Sequence, residues 1–140
     1  MTQEEKQELI VSLCSMLAYG VMVRTSVSAK PLTCEILSNI IEGKNNFIIL
    51  PYLRPMESMT LEEFQGLRSK CPHANFNQTN VPDWIVGISG SDYGRISRVD
   101  EISKFIDWLN SHHFDYRGLI PRGLAIEAPE GMYEIVTLSI

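Results

Sequence analysis

VMVRTSVSAKPLTCEILSNIIEGKNNFIILPYLRP, residues 21–55, decides the fold class. VMVRTSV (21–27) is rich in β-branched side chains, and LTCEILSNII (32–41) and NNFIILPYL (45–53) are apolar runs of strand length. Between the last two, EGKN (42–45) has turn chemistry, with Gly43 free to take a positive φ. Pro31, Pro51 and Pro55 fall at strand edges, where a missing amide donor is tolerated. The stretch predicts three antiparallel strands, the last two joined as a hairpin.

Helical signals surround it. Thr2 and Glu5 have capping-box spacing, and Leu9, Ile10, Leu13, Cys14 and Leu17 form one stripe, predicting a helix over about 3–18 that stops at Gly20. Thr60 and Glu63 repeat the box, with Leu61, Phe64 and Leu67 on one face and Pro72 as the stop. A third helix starts near Ser97, carries Val99, Ile102, Ile106 and Leu109, and ends at Ser111 and His112. Residues 72–96 form a loop-rich, candidate flexible region holding one short strand candidate, Trp84–Ile88, and MYEIVTLSI (132–140) reads as a C-terminal strand. The whole, 1–140, is a single α+β domain: an N-terminal helix on a small antiparallel sheet of about three strands, two further helices and a C-terminal strand.

The net charge of −5 argues against a general nucleic-acid binder, whose affinity comes from a concentrated positive field. Three widely spaced cysteines without a CxxC read as reduced thiols of a cytoplasmic protein. Cys14, on the helical stripe, and Cys34, in a strand, are expected in the core. The N-terminal segment is acidic before its apolar stretch, unlike a signal peptide, and no apolar run reaches membrane-helix length.

HHFDYR (112–117) concentrates chemistry-bearing side chains. Adjacent residues on a helix end or an extended chain diverge, so His112 and His113 do not suit one metal ion, and no other zinc-ligand spacing occurs. The preferred reading is structural. The histidines meet the free carbonyls of a helix end, Phe114 and Tyr116 pack, and Asp115 and Arg117 tie a turn permitted by Gly118. GLIPRGLA (118–125) and GISGSDYG (87–94) lack the phosphate-loop and dinucleotide-loop spacings, and no serine or cysteine sits in a nucleophile signature. No catalytic residue, cofactor or metal is assigned. Tyr52 and Arg54 share strand parity, and with Arg24 and Lys30 they offer a cationic, aromatic patch suited to a nucleotide. Arg24, Tyr52, Arg54, Tyr116 and Arg117 are the candidate ligand-binding residues.

LPYLRPMESMTLEE (50–63), WLNSHHFDYRGLIPRGLAIEAPEGMY (108–133) and LAYGVMV (17–23) resemble a family of small phage and prophage proteins of Bacteroidales gut bacteria. That resemblance brings no activity with it. It implies a context: an accessory protein in the cytoplasm of a bacterial host. The leading expectation is a non-enzymatic protein that binds a host component, in one version sequestering a nucleotide second messenger of antiphage defence. Its rivals are a protein–protein interaction module inhibiting a host protein, and a small hydrolase using His113 with Asp115 or Cys71 with His73. A membrane partner is not expected, and homo-oligomerisation is left open.

Overall fold

The computed structural model describes residues 1–26, 28–44, 49–71 and 99–133. Helix α1 (Gln3–Met16) opens on a complete capping box: Thr2 N–H donates to Glu5 Oε1 at 2.9 Å, and Glu5 N–H donates to Thr2 Oγ1 at 3.1 Å. One 3-10 turn, Leu17–Tyr19, extends it to Gly20, whose φ of 72° lets the chain reverse. Strands β1 (Met22–Arg24) and β2 (Ala29–Pro31) pair antiparallel, with Thr25 N–H donating to the Ser28 carbonyl at 2.9 Å to close the turn.

The second run of the quoted stretch, 32–41, is a helix, which corrects the sequence expectation. Cys34–Ile41 forms α2, capped by Thr33, whose side chain accepts from Ile36 N–H at 3.2 Å. Leu37 is buried, and Ile36 and Ile40 pack on the same core, at the three- and four-residue spacing of one helical face. Gly43 (φ 71°) terminates this helix instead of turning a hairpin. Its N–H donates to Ile40 O at 3.1 Å and Lys44 N–H donates to Asn39 O at 3.0 Å, the two bonds of a Schellman end. Cys34 is exposed on α2 and Cys14 exposed on α1, so neither belongs to the core.

Strand β3 (Leu50–Leu53) joins the sheet beside β1, antiparallel, in register Val23↔Pro51. On its other side lies β4 (Ile126–Glu127), paired parallel as Tyr52↔Ile126 and Leu53↔Glu127. Among the described residues the sheet is therefore four-stranded and mixed, in the order β2-β1-β3-β4, and not purely antiparallel. Helix α3 (Leu61–Lys70) keeps the second capping box, with Glu63 N–H donating to Thr60 Oγ1 at 3.1 Å and Thr60 N–H to Glu63 Oε1 at 3.0 Å. Phe64 and Leu67 are buried on it, whereas Leu61 is 49% exposed and lies off the packed face. Helix α4 (Val99–Ser111) packs on α3. The expected strand at 84–88, the loop 72–96, and all but Met132 and Tyr133 of the expected strand 132–140 lie outside the described residues.

Two apolar clusters organise these elements. The larger joins α1, α2, the sheet and Leu119, Leu124 and Ala125 of the late loop. The smaller joins Met56, Met59, α3, α4 and Phe114. Residues 112–125 therefore contribute to both, which is why their conformation governs the fold.

Candidate functional site

Arg54 is the joint between the two clusters. It follows β3, and the polypeptide 112–116 lies alongside it: Arg54 N–H donates to His113 O at 2.7 Å, and Asp115 N–H donates to Arg54 O at 2.8 Å. Its guanidinium turns inward, donating from Nη1 and Nη2 to the Glu63 carboxylate at 2.6 and 2.7 Å. The two side chains are 6% and 0% exposed. Burial works to raise the Glu63 pKa, yet the guanidinium and the Thr60 amide together hold it below the ordinary carboxylate value. The Phe114 ring lies under the guanidinium, 4.2 Å from centroid to Cζ. Strand parity predicted an exposed arginine. The capping glutamate of α3 draws it into the interior instead, so Arg54 is a structural residue and not part of a surface patch.

The polar cluster after α4 fastens this joint. His112 Nδ1 donates to the Trp108 carbonyl at 2.9 Å while its ring stacks on Trp108 at 3.9 Å. His113 takes φ 62°, the one non-glycine residue in the left-handed region among the described residues. Its ring stacks on Tyr133 at 3.8 Å, and its Nδ1 is buried without a hydrogen-bond partner. Tyr133 ties the far end: its hydroxyl accepts from Met22 N–H and donates to Tyr52 O, both at 2.8 Å, bridging β1 and β3. Asp115 accepts from Leu119 N–H at 2.8 Å and Ile120 N–H at 2.9 Å, folding the loop onto its own carboxylate. Two arginines pin that loop to α1. Arg117 Nη1 donates to Ser12 Oγ at 3.1 Å, and Arg122 forks onto the Glu8 carboxylate at 2.6 and 2.7 Å.

His113 carries a pH signature. Burial, with the neighbouring His112 and Arg54 charges, lowers its pKa from 6.5 to about 4. The unfolded chain then binds more protons than the folded one between those values, so stability falls as pH drops from about 6.5 toward 4. The shift taken whole is worth about 3 kcal/mol, but the ring is half-buried and screened, so about 1–2 kcal/mol is expected. Asp115 acts oppositely in its own range. Burial raises its pKa, with Glu57 adding repulsion against the pull of the loop amides, so its contribution is lost as pH rises through that pKa. Urea denaturation of wild type and His113→Gln across pH 4–7 separates the two. The wild type should lose stability in acid, and the variant should lose it less steeply; parallel curves would contradict this assignment.

The outer side of the clasp is concave. Between the turn after β3 and the 115–121 loop lies a cleft of about 300 Å³. Its apolar floor is Pro55, Met56, Ile120 and Pro121, and its polar wall includes Glu57, Tyr116, Arg117 and Glu127. Asp115 also lines it, but both of its oxygens are engaged by the loop amides. Arg117 makes no ion pair among the described residues, and its guanidinium lies 5.5 Å from the Tyr116 ring centroid. The structure thus brings Tyr116 and Arg117 together. Arg54 stands behind them in the interior, Arg24 is exposed on β1, and Tyr52 is half-buried on β3. None of these three lines the cleft. Glu57, Glu127 and the apolar floor were not singled out from sequence, because they come together only through the β3–β4 pairing.

A second, more open hollow of about 680 Å³ lies where α1's 3-10 turn meets α3 and α4. Lys70, Lys104, Trp108 and Tyr19 line it, and the Tyr19 hydroxyl donates to Asp107 at 2.9 Å. The His113–Asp115 pairing finds no support in the geometry. The Asp115 carboxylate bonds to backbone amides, and His113 stacks on Tyr133. Cys71 is buried, its thiol pushed up to about 11 by burial and the Glu101 carboxylate. His73 lies outside the described residues. Among the described residues no group of three His, Cys, Asp or Glu side chains is placed to hold a metal ion, and no helix is long and apolar enough to cross a membrane. The chain matches no protein-family profile, no curated protein and no solved structure.

Proposed function

We propose that this chain is a non-enzymatic accessory protein that captures a small molecule of the host cell in the cleft beside the clasp. The observation that supports it is a cavity at the small end of the ligand-pocket range, with an apolar floor, a guanidinium without an ion-pair partner and two exposed carboxylates. Its 115–121 wall is folded onto the Asp115 carboxylate and tied to α1 through Arg117, so little backbone ordering is lost there on binding. The phage-like sequence pieces supply the host context.

The nucleotide version of this reading moves to the second hollow. Phosphate is repelled by the carboxylates of the clasp cleft, whereas in the second hollow Lys70 and Lys104 outnumber the one carboxylate, Asp107, which already accepts from Tyr19. One experiment addresses both sites: ligand-observed NMR with a fragment library and a panel of cyclic dinucleotides. Capture in the cleft predicts fragment binding that Glu57→Trp abolishes with the melting temperature unchanged. Capture in the hollow predicts dinucleotide binding that Lys104→Glu weakens. No binding from either set would remove the proposal.

A further inference from the structure

The cleft presents both signs of charge across an apolar floor, and that combination selects a ligand class. Glu57 and Glu127 are exposed carboxylates without ion pairs among the described residues. Glu57 lies near enough to Asp115 to oppose its ionisation, so a positive group between them is favoured. Arg117, on the same wall, spends one donor on the neutral Ser12 hydroxyl and forms no ion pair among the described residues, although the Glu8 carboxylate of α1 is close enough to feel its charge. A plain anion meets two carboxylates, and a plain cation meets the guanidinium. A molecule carrying one ammonium and one carboxylate satisfies both.

We infer that the cleft takes a small zwitterion, a free α-amino acid or dipeptide with an apolar side chain, its carboxylate on Arg117 and its ammonium on Glu57 and Glu127. The inference rests on the capture reading above and names its ligand. Guanidinium and carboxylate form the strongest charge-assisted hydrogen bonds available to a protein. Pro55, Met56, Ile120 and Pro121 accept the aliphatic side chain. At about 300 Å³ the cavity holds a molecule of this size and excludes a folded partner's domain.

The test is titration calorimetry on the full chain with glycyl-L-leucine, N-acetyl-glycyl-L-leucine and glycyl-L-leucinamide. The dipeptide should bind. Loss of its ammonium by acetylation, or of its carboxylate by amidation, should each weaken binding roughly tenfold or more. Arg117→Lys should retain a preference for the carboxylate that Arg117→Gln erases, while both still distinguish the acetylated form. Glu57→Gln with Glu127→Gln should erase the converse preference. Equal binding of all three compounds, or no binding of any, overturns the inference. If fragments bind the wild-type chain and Glu57→Trp abolishes that binding, the capture reading survives that failure; if no fragment binds, capture in the cleft falls with it.

Discussion

Arg54→Met will lower the unfolding free energy by about 3–5 kcal/mol, a third or more of the stability of an ordinary domain. The cost is not the value of a salt bridge. It is the price of leaving the Glu63 carboxylate, 0% exposed, without its cation. Two consequences distinguish that cause from lost packing. Adding Glu63→Gln should recover most of the deficit, because glutamine removes the charge and can still serve the Thr60 amide in the capping box. The deficit of Arg54→Met alone should also shrink in acid, where Glu63 takes up a proton that the guanidinium otherwise holds off. Guanidinium denaturation of the two variants at neutral and acid pH measures both effects. A double variant no more stable than the single one would place the loss in packing against Phe114 instead.

Asp115→Ala should cost about 3 kcal/mol. It strands two backbone amides, Leu119 and Ile120, that now donate to a carboxylate at 2.8 and 2.9 Å. Leu119 is fully buried, so water cannot replace the lost acceptor there. The variant also loosens the wall of the cleft, and ligand capture should weaken with it. Asp115→Asn is the gentler comparison. Its amide oxygen accepts one of the two bonds, and about half the loss should return.

Much of the fold was legible because its helices carry local signals. Thr2 with Glu5 and Thr60 with Glu63 mark helix starts, Gly20 marks a stop, and Ile106 and Leu109 of the third stripe pack from α4. The misreading at 32–41 has a physical cause. Ile36, Leu37, Ile40 and Ile41 look like a strand when counted as an apolar run, but Thr33 and Glu35 were the cap and first-turn acid of a helix. Strand β4 escaped because two residues show no periodicity, and its parallel pairing depends on a loop reaching back to β3. The site was half-legible. The cluster 112–117 was identified, and the tying roles of His112 and Asp115 were anticipated. His113, however, stacks on Tyr133 instead of meeting a helix-end carbonyl, and Arg117 reaches Ser12 of α1 instead of its own turn. Arg54 was assigned to the surface by strand parity. Its partner is nine residues away on another element, and nothing in the local pattern announces that meeting. The same limit hid Glu57 and Glu127, which the chain brings to one cleft only after the clasp has closed.

The polar segment after α4 holds backbone in place and thereby shapes the cleft. Amide hydrogen exchange of Leu119 and Ile120 tests it most directly, in wild type and in Asp115→Ala. The account predicts slow exchange at both amides in wild type and a marked acceleration in the variant, with the amides of α1 far less affected. Fast exchange at Leu119 and Ile120 in the wild-type protein would contradict it.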